Sequence, residues 1–214
     1  MKALLYKQFR LVSHPMTLIF PFFGAMLLIP SYPYTLAFFY VMLGLFFSFI
    51  NSREQKDIYY SALLPIRKRD TVRASALFMM TVELASLLIA APFAVLSVRI
   101  NPLGGNAVGL EPNAALFAAA LVLYALFNAI FLGGFLKTAY KLGKYFVIFI
   151  AVCFVVIFLA EAAHHVPGLG ALNAFGFDHI GLQLLTLLAG AAAFVALTFL
   201  SYNKACKDFE RIDL

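Results

Sequence analysis

The residues with the widest chemical range gather around position 161. Glu161 and His164 stand three apart, His165 follows, and Asp178 and His179 lie across a short connection. A carboxylate and an imidazole at i, i+3 on a helix can ligate a divalent metal. Acid and histidine are also common where a helix meets a polar boundary, and nothing nearby forms a second shell to orient the imidazoles. No metal site is assigned to them. Glu83 and Asn128 are different: each is a polar residue isolated within a long apolar run. At 1.5 Å per residue, Glu83 lies about 13 Å along its run. An acid at that depth costs about 2.5–3.5 kcal/mol on membrane-insertion scales, so it must face a bundle interior or water. It is either protonated or paired with Asn128. The pair serves as a structural hydrogen bond between helices or as a polar point on a path through them.

The third constellation is the segment 51–73, NSREQKDIYYSALLPIRKRDTVR. Ile58, Tyr59, Ala62 and Leu63 recur at i, i+1, i+4 and i+5, which predicts a short helix with one apolar face. Pro65 ends it. Arg67, Lys68 and Arg69 come next, and Asp70 can cap the helix that follows. A short helix carrying two tyrosines and a leucine among charges has apolar surface to cover. It lies on a membrane or docks into a groove on another protein. The chain contains no G-x-x-x-x-G-K-[ST], no H-E-x-x-H and no G-x-S-x-G. ATP hydrolysis, zinc proteolysis and serine hydrolysis are therefore not expected here, and no residue is assigned a catalytic role.

The elements that must carry these residues follow from composition. Of 214 residues, 64% are hydrophobic and 12% charged, with a mean hydropathy of +0.93. A soluble domain carries about twice that charged fraction. Lipid must solvate the excess, and at roughly 20 residues per crossing about six spans fit. The chain reads as one all-α transmembrane domain over 1–214, with spans near 15–29, 34–50, 74–98, 114–136, 145–160 and 181–202. Pro21 is expected to kink the short first span. Residues 1–14 are amphipathic, with Leu4, Leu5, Phe9, Leu11 and Val12 on one face and Lys7, Arg10 and His14 on the other. They predict a helix lying flat in the headgroups. No cleavable leader pattern is seen, so the first span is expected to direct insertion. The phenylalanines of span 2 (Phe38, Phe39, Phe46, Phe47 and Phe49) are read as lipid-facing packing, with an aromatic-lined path as the other option. Small residues in spans 4 and 6 permit close helix contact.

Lysine and arginine set the orientation. Fifteen of the 16 fall in 1–14, 51–73, 137–144 and the last twelve residues; only Arg99 falls on the other side. The positive-inside rule puts both termini in the cytoplasm and the loops 99–113 and 161–180 outside. The net charge of +6 thus belongs to membrane edges, and no nucleic-acid partner is implied. Cys153 lies in an apolar run and Cys206 in a polar one, so no disulfide is expected.

Glu54, the Leu64-Pro65 step, Arg67-Lys68-Arg69-Asp70 and Val72-Arg73-Ala74 in this topological position resemble the loop of small ABC-2 type permeases, the membrane subunits of ABC exporters. The resemblance extends over the whole chain through the six-span layout, the N-terminal elbow and the polar loop before the last span. It implies that the segment between spans 2 and 3 is a coupling helix inserted into a separately encoded cytoplasmic ATPase. Ile58, Tyr59, Tyr60 and Leu63 then form the contact face, with Glu54, Pro65 and Arg67 to Arg69 setting its orientation. ATP and magnesium are held by that partner, and this chain needs no cofactor. The resemblance further implies a second permease copy, the same or similar, a bacterial inner or plasma membrane, and a hydrophobic or amphipathic cargo such as a peptide or lipophilic compound moved outward. The loop after span 5 is shorter and richer in glycine than in that family, so its re-entrant helices are expected to be abbreviated. Another class fits the composition: the six-span substrate-binding component of an energy-coupling-factor importer. It requires polar residues converging on an extracellular pocket. A third, an intramembrane enzyme, requires chemistry at Glu161, His164 and His165.

Overall fold

The computed structural model describes residues 1–211 apart from 102–105, 139–140, 164, 167–168 and 177. Among these residues the secondary structure is helical, with no strand. The N-terminal helix α1 covers Lys2–Lys7 and runs on through a wider π-helical turn, Gln8–Val12, closed by Ser13 N–H on the Gln8 carbonyl at 2.8 Å. The chain then turns by 108° into α2, Pro15–Ile19, which continues as a 3-10 helix over Phe20–Leu28. The remaining helices are α3 (Thr35–Glu54), α4 (Asp57–Leu63), α5 (Lys68–Ile100), α6 (Ala114–Thr138), α7 (Leu142–Ala163) and α8 (Ile180–Glu210). Five of them, α3 and α5 to α8, are long and apolar enough to cross a membrane unbroken.

A sixth candidate, Pro15–Leu28, forms a bent pair with the N-terminal helix; the sharp bend falls between Val12 and Pro15, and at Pro21 the chain changes winding instead of kinking as expected. A proline lacks the N–H of an i→i−4 bond, so the chain tightens beyond it instead of continuing as an α-helix. A 3-10 helix climbs further per residue than an α-helix, so the tightening lets this short segment reach deeper into the bilayer. Gly24 lets it press against α5. A Cβ there would come within 2.8 Å of the Ala90 Cα.

Several expectations change in detail. The π turn shifts the phase of the N-terminal helix, so Leu11 is exposed, Gln8 is buried and Lys7 turns inward. Three of the five phenylalanines of α3 pack within the bundle instead of facing lipid as read, while Phe39 and Phe47 are half-buried. Phe38 and Phe49 are buried, and Phe46 stacks on Phe146 of α7 with centroids 3.9 Å apart. Phe49 also meets Phe131 and Phe135 of α6. The charged segment after span 6 is helical up to its last described residues: α8 reaches Glu210, with Ala205, Cys206 and Phe209 buried. Asp70 lies in the first turn of α5, while Arg67 takes the N-cap position without a side-chain bond. An acid in a first turn still favours the helix dipole.

The small-residue contacts hold as expected. Gly190 of α8 lies so close to α6 that a Cβ would approach the Ala118 Cα and carbonyl oxygen to 2.9 Å. At one end of the bundle the N-terminal helix, α4, the start of α5 and the end of α8 meet, carrying the basic residues. At the opposite end the two longer loops interlock: Asn113 Nδ2 donates to the carbonyls of Leu172 and Ala174 at 3.0 Å, and Glu111 N–H to Asn173 Oδ1 at 2.8 Å. Between α7 and α8 the described residues hold a single 3-10 turn, Gly170–Asn173, and no longer helix.

Candidate functional site

α4 is short because both its ends are chemically dictated. Lys56 adopts a left-handed conformation (φ 53°) that ends α3 and reverses the chain. That position costs a non-glycine residue about 1–2 kcal/mol, so its neighbours must hold it. At the other end Leu64 is extended, as the residue before Pro65 should be, and α5 begins at Lys68. α4 thus projects between two long helices by connections of only a few residues.

Its two faces differ. Asp57, Ile58 and Ser61 are buried, while Tyr59, Tyr60 and Leu63 are 43%, 60% and 84% exposed. The expected contact face therefore needs one correction. Ile58 does not belong to it but joins the hydrophobic core. The i, i+1, i+4, i+5 spacing makes a stripe about two residues wide, and the structure buries only Ile58 on one edge of it, Ala62 staying exposed. On the inner face the Lys7 ammonium sits 2.7 Å from Asp57 Oδ1 and donates to Ser61 Oγ at 2.5 Å. Ser61 in turn donates to the Asp57 carbonyl at 2.8 Å. One turn beyond Lys7, Asn51 of α3 donates to the carbonyls of Leu11 and Val12 at 3.2 and 3.1 Å, and the Gln8 amide lies 3.5 Å from Ser75 Oγ of α5. The N-terminal helix is thus bonded to α3, α4 and α5 rather than floating in headgroups alone.

Glu54 is exposed at the last position of α3, and Pro65 and Arg67 are exposed beyond α4. Arg69 has another task than orienting α4. It pairs with Glu210 through Nε at 2.5 Å and Nη2 at 3.4 Å, tying α5 to the end of α8. Both side chains are exposed, so the pair adds little to stability.

Fifteen residues along α5 from Lys68, Glu83 meets Asn128 as expected: Asn128 Nδ2 donates to Glu83 Oε2 at 2.9 Å. The same nitrogen lies 3.2 Å from Thr198 Oγ1, which joins α8 to the pair. Ser86 Oγ bonds the Glu83 carbonyl at 2.6 Å and lies 2.7 Å from the Tyr124 hydroxyl. The hub crosslinks α5, α6 and α8 and is sealed, with Glu83 at 0% exposure. Glu83 Oε1 and Asn128 Oδ1 are buried without a partner among the described residues.

Sequence reasoning missed Lys7, Asp57, Ser61 and Thr198. Asp57 and Ser61 stand four apart on the side of α4 away from Tyr59 and Leu63, which is the local signal for a polar inner edge. Nothing in the sequence pairs them with Lys7.

Glu161 packs its carboxylate against Gly109, where a Cβ would fall 2.7 Å from Oε2. His164 lies outside the described residues, and among those described no three His, Cys, Asp or Glu side chains gather as metal ligands. A groove of about 380 Å3 opens at the loop end between α5, α6 and α8. Its walls are leucine, valine and alanine, and its polar side chains, Asn113 and Gln183, are spent on the surrounding backbone.

A bundle of helices long and apolar enough to cross a membrane, with an aromatic-tipped helix projecting at its basic end, has the build of a multi-pass membrane protein. The chain belongs to the ABC-2 family of transporter proteins, whose family model matches residues 3–210. No curated protein and no solved structure matches it. It is a multi-pass membrane protein and a permease subunit of an ABC transporter.

Proposed function

We propose that the chain is the permease of an exporter, driven by a separate cytoplasmic ATPase that binds ATP and magnesium and grips α4. Both termini and α4 face the cytoplasm in this reading, and a second permease copy completes the pathway. The cargo is hydrophobic or amphipathic. The observation that carries it is the asymmetry of α4: Tyr60 and Leu63 are offered to solvent while Lys7, Asp57 and Ser61 lock the opposite face. A helix that must transmit force needs a grip on one side and a stiff mounting on the other. Here a push on α4 reaches α5 within five residues and the N-terminal helix through an ion pair, and α5 runs unbroken to the Glu83 hub.

Apolar cargo agrees with the chain's interior, where the described polar side chains are largely satisfied by neighbouring helices. The importer alternative loses support, because among the described residues the groove at the loop end offers no converging free polar groups.

The test is co-purification of the full chain with candidate ABC ATPases from the same genome, comparing wild type with Tyr60→Ala/Leu63→Ala. Aromatic and apolar anchors of this kind are each worth about 2 kcal/mol at an interface, so losing both should weaken binding by about a thousandfold. Thermal stability should be unchanged, because both side chains are exposed. Normal binding and normal ATPase stimulation by the double variant would remove α4 from the coupling role.

A further inference from the structure

At the basic end a groove of about 310 Å3 runs between α5 and α8. Its walls are Leu77 and Met80 on one side and Val195 and Phe199 on the other; Arg73 and Tyr202 stand at the mouth, and Thr198 lines its depth. Val195 and Phe199 are each 62% exposed, so the groove opens sideways onto lipid and not into the bundle. Seven residues separate Arg73 from Met80, and seven separate Val195 from Tyr202, which gives a slot about 10 Å long at α-helical rise. That is most of one leaflet's hydrocarbon depth, about 15 Å.

The charges at the mouth are not equivalent. Arg69, one turn nearer the end of α5, is committed to Glu210. Arg73 is exposed and makes no hydrogen bond or ion pair among the described residues, and the Tyr202 hydroxyl lies within electrostatic reach of both guanidiniums. An apolar slot at membrane depth with an uncommitted guanidinium at headgroup level matches a molecule with a hydrocarbon tail and an anionic head. Unfilled space between lipid-exposed helices forfeits dispersion contacts on every wall, so a chain from the bilayer must occupy it. Two other hollows lack this combination. The loop-end groove has no charged lining residue, and the crevice lined by Lys137 and Lys204 also carries Asp208.

We propose that the α5–α8 groove binds one anionic phospholipid of the leaflet at the basic end, its acyl chain against Met80 and Val195 and its phosphate on Arg73. Occupancy matters mechanically, because Thr198 reaches from the groove to Asn128 and so to Glu83. The bound chain braces the seam beside the hub. This does not depend on the direction of transport or on the ATPase.

The experiment uses the full chain purified in mixed micelles of equal phosphatidylglycerol and phosphatidylcholine, with retained lipid measured by mass spectrometry. Wild type should hold the anionic lipid in about fivefold excess, the preference one basic residue confers near a membrane surface. Arg73→Gln should remove that excess, while Arg10→Gln, which deletes the same charge outside the groove's lining, should keep it. Val195→Phe, which narrows the slot from its exposed wall, should lower retention of both lipids alike. Equal retention by wild type, equal losses in Arg73→Gln and Arg10→Gln, or displacement of the lipid by inorganic phosphate would each overturn the proposal. The last would show a phosphate site without an acyl slot.

Discussion

Two buried acids divide the molecule. Asp57, at the basic end, is 8% exposed and meets a full positive charge on Lys7. Glu83, fifteen residues along α5, is wholly buried and meets only neutral donors from Asn128 and, through its backbone, Ser86. The difference follows from where each sits. Near the headgroups an ammonium on a flexible stem can be recruited from a neighbouring segment at modest desolvation cost. Deep in the bundle a second ion would have to be dehydrated completely, and a carboxamide gives a directional bond without that penalty. The first arrangement ties α4 to the N-terminal helix; the second fixes three helices against each other. A device that converts a push into a rearrangement wants both, with one firm contact at the handle and another at the fulcrum.

The comparison can be broken at either acid. Lys7→Ala should have the larger effect. It leaves a nearly buried carboxylate without its cation, a loss of about 3 kcal/mol in local stability. Amide hydrogen exchange in α4 should quicken accordingly, and Lys7→Met/Asp57→Leu should restore most of the protection. If Lys7→Ala exchanges like wild type, the ion pair is not what mounts α4. Asn128→Ala should cost less, about 2 kcal/mol, because polar bonds between membrane helices are worth less than an ion pair's integrity. The loss should appear as a lowered unfolding temperature and be recovered in Glu83→Leu/Asn128→Leu. A double variant no better than the single one would mean that the hub's role is not the bond itself.

A third buried acid sharpens the contrast with the smallest effect. In the loop before α6, burial raises the Glu111 carboxyl above its ordinary range, against the opposing pull of the Asn106 N–H at 2.9 Å. A group whose folded-state pKa exceeds its unfolded one binds more protons when folded, so stability falls as pH rises. Its contribution is complete below the ordinary carboxyl range and is lost as pH climbs through the raised value. The unfolding temperature of wild type should therefore decline more with rising pH than that of Glu111→Gln. Parallel pH profiles would place the Glu111 carboxylate in water.

Much of this architecture was legible from residue order. Long apolar runs separated by charge or by Gly and Pro mark the crossings, because lipid tolerates little else. The Glu83–Asn128 contact was legible too, since each polar residue in hydrocarbon needs a partner and these two sit at comparable depths. What escaped was direction. Ile58 and Tyr59 are adjacent and both apolar, and only the position of α3 and α5 decides which of them is covered. The inward turn of Lys7 depends on one extra residue in the turn after it, a shift that hydrophobic spacing does not encode. The helical continuation of α8 to Glu210 was hidden because charge reads as solvent exposure, whereas one face of that helix buries Cys206 and Phe209 three residues apart.

The tightly wound half of the first crossing has a consequence for movement. A 3-10 coil is longer than an α-helix of the same residues, so Phe20–Leu28 would shorten if it relaxed to the wider winding. Such a coil is a ready-made piston. Its stroke would draw the Pro30–Pro33 turn toward the membrane's middle and pull on the Ala107 amide that bonds the Pro30 carbonyl at 3.0 Å, linking the rim at the loop end to the length of one strut.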